Sequence, residues 1–315
     1  MKNSSTTLRT LQEKKNRGYL LAASFERLGY PDRAKLVVEC GTYLGILDTG
    51  EGAKIVEANF CKQRLCPSCN WRRSLKIYGA TSQILDHLDK QYGKSIKYLF
   101  LTLTVKNVPM SDLGATIDSM SEAYNRLRNN RAWKRRVKGA MRTLEVTINQ
   151  ETQEAHPHYH LILAVDRSYA TKNDDTYWTH ADWQAAWQKA CRLDYKPNVS
   201  IERVKGRESG IAEVSKYMAK DTDYLVDPMQ AHMGTEEAEA LTDFLVGQLM
   251  HQLHGRRLIS YTGILRDAQR ALKLDPENGP LTDTMRGDVA SAIKHYHWSA
   301  GLGCYVQKGE NDVNT

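Results

Sequence analysis

Two segments of this chain combine residue types that do chemistry together: His158-Tyr159-His160, and Glu213 with Tyr217 and Lys220. Side chains two apart on a strand point the same way, so His158 and His160 can grip one cation while Tyr159 packs on the opposite face. The apolar run Leu161-Ile-Leu-Ala-Val165 makes this a buried strand, where imidazoles need partners. Upstream, Met141 to Ile148 alternates as a partner strand, and Asn149 to Ala155 supplies the polar connection of a hairpin. Glu145 is then expected beside the histidines as an oxygen ligand. His156 competes for that place, although Pro157 restricts it to the residue before the strand proper. Two imidazoles and a carboxylate suit Mg²⁺ or Mn²⁺ and leave positions open for phosphate oxygens.

The second segment reads as a helical turn. Glu213 and Tyr217, four apart, would share a face, with Lys220 one turn beyond and Lys216 on a neighbouring flank. A phenol titrates near about pH 10 and is a poor nucleophile without a base, cation or metal beside it. Its attack on a phosphodiester leaves a phosphotyrosyl link that keeps the bond energy for a later rejoining. A second attack needs either water activated by a carboxylate, for which Glu213 is placed, or another tyrosine, for which Tyr224 stands if the helix persists past Asp221. The plainer reading is an amphipathic helix with Ile211, Val214, Tyr217 and Met218 as its core face.

A third constellation is independent of both. Cys61-Lys-Gln-Arg-Leu-Cys66-Pro-Ser-Cys69, with Cys40 upstream, offers four thiols, and six cysteines in 315 residues are too few for a disulfide scaffold. A tetrahedral zinc ion with no open position is the economical reading, which makes it structural. Cys191 and Cys304 are expected to be plain buried thiols.

Taken in order, Cys-Lys-x-Arg-x-Cys-Pro-x-Cys followed by Trp-Arg-Arg, Phe100-Leu-Thr-Leu-Thr104, His156-Pro-His-Tyr-His-Leu161, and Glu213-x-x-x-Tyr217 resemble the rolling-circle replication initiators of small bacterial plasmids. The likeness is to the branch typified by the plasmids pC194 and pUB110, within the wider HUH endonuclease superfamily, and it runs from about Leu36 to Tyr305. It implies metal-dependent nicking at a double-strand origin by Tyr217, with Glu213 as the termination glutamate and His158 and His160 as metal ligands. Thr102 and Thr104 fall in the family's first motif, in a structural role. The partners implied are plasmid origin DNA, as a double-stranded hairpin and a single-stranded nick site, and a host replicative helicase, all in the bacterial cytoplasm. A DNA-binding module or autorepressor without strand transfer, and a mobilisation relaxase, are the alternatives; the intact His-x-His, Glu and Tyr oppose the first, and the cysteine module opposes the second.

Charge points to the same partner. From Cys61 to Thr143 there are seventeen Lys or Arg against five Asp or Glu, so the formal net charge of +7 is concentrated in one stretch. Arg72, Arg73, Arg126, Arg128, Arg131, Lys134, Arg135 and Arg136 are the expected DNA-binding residues, with Trp133 among them to stack a base. No apolar run is long enough to span a membrane and the first residues are polar, so neither a span nor a secretory signal is expected.

Hydrophobic periodicity and turn signals place strands at 96–105, 141–148, 158–165, 199–203 and 256–261, with a closing strand pair over 297–306. Helices are expected over 71–89, 111–129, 178–192, from about Ser209, 235–254 and 265–272. This is an α+β pattern, and the resemblance implies an HUH-endonuclease-like central antiparallel sheet backed by helices, with an N-terminal four-cysteine zinc module. The expected division is an N-terminal helical arm (1–35), the zinc module and basic helix (36–95), an HUH catalytic core (96–228), and a C-terminal helical segment with closing strands (229–315). Trp178, Trp183 and Trp187 share one face of their helix and are expected in the core.

Overall fold

A computed structural model describes residues 4–49, 52–170, 177–203, 207–216, 219–284 and 292–308. In chain order the elements begin with α1 (Ser4–Arg27), α2 (Pro31–Glu39), β1 (Tyr43–Thr49), β2 (Gly52–Ala58), α3 (Pro67–Tyr92), β3 (Ile96–Thr104) and β4 (Val108–Pro109). There follow α4 (Leu113–Asn129), α5 (Arg131–Arg136), β5 (Val137–Asn149), β6 (Glu154–Asp166), α6 (His180–Cys191) and β7 (Val199–Arg203). The last are α7 (Arg207–Val214), α8 (Asp221–Tyr224), α9 (Pro228–Ala231), α10 (Thr235–Gln252), β8 (Ile259–Thr262), α11 (Gly263–Ala271), β9 (Ile293–Ser299) and β10 (Cys304–Gln307). They form two compact units: Met1–Arg73 with Leu225–Gly247 and Pro280–Thr315, and Ser74–Tyr224 with Gln248–Gly279. No helix among the described residues is long and apolar enough to cross a membrane.

In the first unit the expected helical arm is two helices. They separate at Gly29, whose φ of +81° is the left-handed conformation that ends a helix at little cost for glycine; the Tyr30 amide then bonds back to Phe25 O at 2.7 Å. The closing strand pair expected near the C-terminus is β9 and β10, and in this unit it joins β1 and β2 in an antiparallel sheet of the order β10-β9-β1-β2. Leu44, Ile46, Ile55 and Tyr296 from that sheet pack with Leu11 of α1 into a buried cluster. The β1 and β2 strands escape the sequence reading because Tyr43-Leu-Gly-Ile-Leu-Asp-Thr lacks clean alternation, and β1 gains its second neighbour, β9, only from the far end of the chain.

The second unit holds a six-stranded antiparallel sheet, β7-β3-β6-β5-β8 with β4 added beside β6. Its centre is the predicted hairpin, longer than expected and closed by a tighter turn at 150–153. The register pairs Glu145 with His158 and Thr143 with His160 on one side of β6, and Thr104 with His158 and Thr102 with His160 on the other. Directly paired residues share a sheet face, so threonines, histidines and glutamate all project one way, while Leu101, Leu103, Tyr159, Leu161 and Leu144 project the other. Helices α4 and α6 cover that second face. Trp183 and Trp187 are fully buried there, and Trp187 Nε1 donates to Thr104 O at 2.8 Å; truncating either to alanine is a core loss of about 3–5 kcal/mol. Arg142 is buried on the same face with its guanidinium 4.2 Å from the Tyr159 ring and 5.3 Å from the Tyr124 ring, a cation–π sandwich. Trp178 precedes α6, which starts at the Thr179–Asp182 capping box. On the edge, Gly263 bridges Gly139 at a φ of +54°, and a Cβ there would sit 2.0 Å from Lys138 O, so only glycine admits β8 to the sheet.

Candidate metal centre and catalytic segment

The hairpin brings three donors to one point. Glu145 Oε2 lies 2.7 Å from His160 Nε2 and 3.1 Å from His158 Nε2, and all three side chains are buried. Ligand atoms about 2.1 Å from a common ion at right angles stand about 3.0 Å apart, so the two edges from Glu145 to the imidazoles are compatible with neighbouring positions of an octahedral shell. The imidazole orientations fit a cation as well. His158 Nδ1 donates to His156 O at 3.1 Å, which leaves Nε2 of the neutral ring as a lone pair aimed at a carboxylate oxygen. That contact with an anionic oxygen is favourable only when the nitrogen carries a proton, as a hydrogen-bond donor to Glu145, or when a cation lies between the two. Burial pushes the Glu145 carboxyl up, but hydrogen bonds from both imidazoles win and hold it well below the ordinary carboxylate range.

Neighbouring groups set the ring positions. Thr102 Oγ1 is 3.3 Å from His160 Nδ1, and Phe100 stacks on the His160 ring with centroids 5.6 Å apart. Thr104 instead donates to Asn198 O at 2.9 Å. Orienting groups behind a ligating histidine typically affect metal affinity about ten-fold or more. Thr102→Val should therefore weaken Mn²⁺ binding about ten-fold by calorimetric titration; an unchanged Kd would reduce Thr102 to a sheet residue. His156, expected before the strand, lies within β6 opposite Thr147. Pro157 is accommodated because it sits after the pairing to β3 has ended and before that to β4 begins. The His156 ring is 5.4 Å from that of His158, outside the three-donor group, and borders an open polar cleft of about 630 Å³ with Thr147, Glu154 and Asp223.

The helical turn expected through Lys220 is corrected: α7 ends at Val214 and α8 begins at Asp221. Ser215 Oγ donates back to Ile211 O at 2.6 Å, a local bond that competes with helix continuation. Tyr217 and Met218 lie outside the described residues, and the face shared by Glu213 and Lys220 is lost. Glu213 is half-exposed and paired with Lys216 Nζ at 2.6 Å, Lys220 is exposed, and Tyr224 is fully buried. Both flanks of this segment rest on the hairpin, since α7 packs against β6 and α8 against β5, where Gln150 Nε2 donates to Thr222 O at 2.8 Å.

In the first unit Cys40, Cys61, Cys66 and Cys69 converge. Cys69 Sγ is 3.6 Å from Cys40 Sγ and 3.7 Å from Cys61 Sγ, and Cys66 Sγ is 3.6 Å from Cys40 Sγ. Sulfurs about 2.3 Å from a shared ion are about 3.8 Å apart at the edges of a tetrahedron, so the cluster fits a closed four-thiolate shell. Mutual hydrogen bonding pushes the Cys40 and Cys69 thiols up and holds Cys66 down, so four thiolates cannot coexist there without a cation. Lys62, at a φ of +59°, turns its amide onto Cys69 Sγ at 3.2 Å. The buried Lys15 donates to Cys40 O at 2.8 Å and also to Val38 O. The sequence analysis passes over Lys15; its signal is a lysine on the apolar stripe of α1, in line with Leu11, Gly18 and Ala22. Cys191 and Cys304 are half-exposed and outside the cluster.

Burial sorts the basic residues. Arg72 is buried and bonds Leu281 O at 2.8 Å and Asp283 at 3.0 Å, and Arg73, also buried, bonds Gln63 O at 3.2 Å and Lys62 O. Arg73 thus braces the cysteine loop and Arg72 ties α3 to the 281–283 segment, and neither faces solvent. Arg136 is buried with its guanidinium 4.5 Å from the Trp178 ring, and Trp133 is a core residue packed edge-on against Tyr124 and Trp183. Arg131, Lys134 and Arg135 are exposed, and Arg126 and Arg128 half-exposed.

Residues 52–302 match the family described as "Replication protein". The chain is 36% identical to a "Protein rep" of Streptococcus pneumoniae over 84% of its own length and 80% of the relative's. It is 35% identical to one of Bacillus amyloliquefaciens, covering 94% and 93% respectively. A "Replication protein" of Staphylococcus aureus is 33% identical over 65% of this chain and 88% of its own length. No solved structure matches the chain. With four-fifths of its sequence inside the family's bounds and relatives aligned over most of their lengths, the chain belongs to the replication protein family, among the plasmid rolling-circle Rep proteins of the pC194 and pUB110 type.

Proposed function

We propose that this replication initiator nicks one strand of its plasmid's double-strand origin through a 5′-phosphotyrosine link on Tyr217 and rejoins the strand after one round. The observation that carries the reading is the convergence of Glu145, His158 and His160 on a hairpin against which both flanks of the Tyr217 segment pack. This antiparallel sheet with His-x-His on its central strand is read as an HUH-type core formed by residues 96–228 and extended by β8, and the four cysteines as a structural Zn²⁺ site.

Glu145, His158 and His160 would hold Mg²⁺ or Mn²⁺, which supplies Lewis-acid polarisation of the scissile phosphate. Tyr217 gives up its proton and its oxygen bonds to phosphorus as the bond to the 3′ oxygen breaks, leaving a free 3′ hydroxyl and a phosphotyrosine. Lys220 offers a cation for the charge that builds on the phosphate. Glu213 accepts a proton from the water, or from the hydroxyl, that resolves the link at termination. Arg126, Arg128, Arg131, Lys134 and Arg135 supply the solvent-facing cations for origin DNA, and a host replicative helicase is the expected protein partner in the bacterial cytoplasm.

The reading is tested by incubating the protein with a labelled single-stranded origin oligonucleotide and Mn²⁺ or Mg²⁺, followed by denaturing electrophoresis and peptide mapping. A metal-dependent covalent link on the 213–220 peptide is expected. Binding without any adduct in either metal would leave a DNA-binding module in its place. Glu213→Ala should nick at the unmodified rate yet accumulate the covalent adduct at termination, visible as a persistent protein–DNA band; loss of nicking itself would move Glu213 into the first step.

A further inference from the structure

We propose that the second unit holds a pocket for one unpaired nucleobase at the β7 edge of the sheet, on the face opposite the histidines. This inference rests on the reading of the chain as an enzyme that handles single-stranded DNA.

A cavity of about 270 Å³ opens there between Leu99, Tyr169, Tyr177, Trp178, Ile201 and Arg203. Leu99 pairs with Arg203 in register and with Leu163, which puts the cavity on the sheet face covered by α6. The recess is partly open to solvent, and Tyr169, Tyr177 and Trp178 share its lining with His180 and the Glu202 carboxylate. The Tyr169 and Tyr177 rings are 5.6 Å apart at 44°. Tyr169 is held by its hydroxyl, which accepts from Trp183 Nε1 at 3.0 Å and from the Trp178 amide at 3.3 Å and donates to Trp178 O at 3.2 Å. That hydroxyl is fully used and the residue is buried, so Tyr169 is a fixed inner wall of the recess. Trp178 is fixed by an edge contact with Trp183 at 4.8 Å and by the Arg136 guanidinium over its ring at 4.5 Å. Against these rigid walls Tyr177 is 37% exposed at the mouth.

Preorganised aromatic faces around a cavity suit a flat, weakly polar ligand, and every base has a π face. The polar requirements of a base edge can be met locally. β7 is an edge strand, so it has backbone groups with no strand beyond them. His180 Nε2 donates to Val199 O at 2.6 Å, fixing the rim. The path from the metal histidines is short. His160 faces Thr102, and Thr102 faces Ser200 of β7, two strand spacings or roughly 10 Å. A single strand turning over the β7 edge reaches the pocket within a few nucleotides of the scissile phosphate. Duplex DNA, with its bases stacked and paired, cannot enter.

The test uses the full chain, a fluorescein-labelled single-stranded oligonucleotide of mixed sequence and its duplex, read by fluorescence anisotropy. Tyr177→Ala is expected to lower the ratio of single-strand to duplex affinity roughly ten-fold, and Tyr177→Phe to restore it. Independently of any variant, an iodopyrimidine-substituted single strand should photocrosslink the unmodified protein at Tyr177 or Trp178. An unchanged ratio in Tyr177→Ala, or crosslinks confined to other peptides, overturns the pocket. If the unmodified chain forms its covalent adduct and binds single strands while Tyr177→Ala matches it, the pocket alone fails. If the unmodified chain holds no single strand at all, the nicking reading falls and takes the pocket with it.

Discussion

Tyr217→Phe is expected to bind duplex origin DNA as the unmodified chain does, and to form no covalent DNA link under either Mg²⁺ or Mn²⁺. The substitution removes one oxygen and keeps the ring, so it deletes the proposed nucleophile with the smallest change in side-chain shape. The expected fall in nicking rate is at least about a thousand-fold, in line with removal of a covalent nucleophile. Gel analysis of adduct and nicked product measures it, beside anisotropy for duplex binding. Retained nicking would not simply transfer the role to Tyr224. That phenol is fully buried in α8, and exposing it would mean unpacking the helix from β5. A Tyr217→Phe protein that still nicks would therefore count against tyrosine chemistry in this segment altogether.

The second large effect belongs to the cysteine cluster. Cys69 lies within 3.7 Å of two other sulfurs and receives the Lys62 amide, so Cys69→Ser removes one ligand and one acceptor from the centre of the loop. Structural zinc binding carries apparent free energies of about 10–16 kcal/mol, comparable with the whole stability of a typical domain, about 5–15 kcal/mol. Cys69→Ser, or strong chelation of the unmodified protein, is expected to release one equivalent of zinc and to open residues 40–70 to proteolysis. Metal analysis and limited digestion read the two effects. A cation held there would also neutralise sulfur charge beside the buried Lys15 and Arg73, so its loss should expose those residues as well. A Cys69→Ser protein with unchanged metal content and digestion pattern would make the cluster a reduced thiol core.

Much of the site was legible in the sequence because it depends on local periodicity. His158 and His160 share a face by the two-residue repeat of a strand, and the alternation before Asn149 put Glu145 on a partner strand, while its register against His158 came with a turn at 150–153 tighter than the connection expected. The four cysteines were legible for a different reason: few side chains substitute for a thiolate, and their spacing closes one loop. Strand β7 and the extent of α4 and α6 followed from apolar spacing and caps.

Tertiary structure decided what periodicity cannot carry. Whether a charged side chain faces water is a property of what else arrives beside it, and Arg72, Arg73 and Arg136 are buried because Asp283, the 62–63 carbonyls and the Trp178 ring meet them. The helix ends at Val214 although residue spacing alone would carry it on to Lys220. The sheet of the first unit joins β1 to β9 across more than two hundred residues, and a pairing of that separation leaves no trace in either strand alone. The amino-acid sequence by itself determined the donor atoms and their order, because these depend on side-chain chemistry and strand period. The fold decided which cations reach solvent, where the helix beside Tyr217 stops and how many sheets there are, because burial and long-range pairing are settled only when distant segments meet.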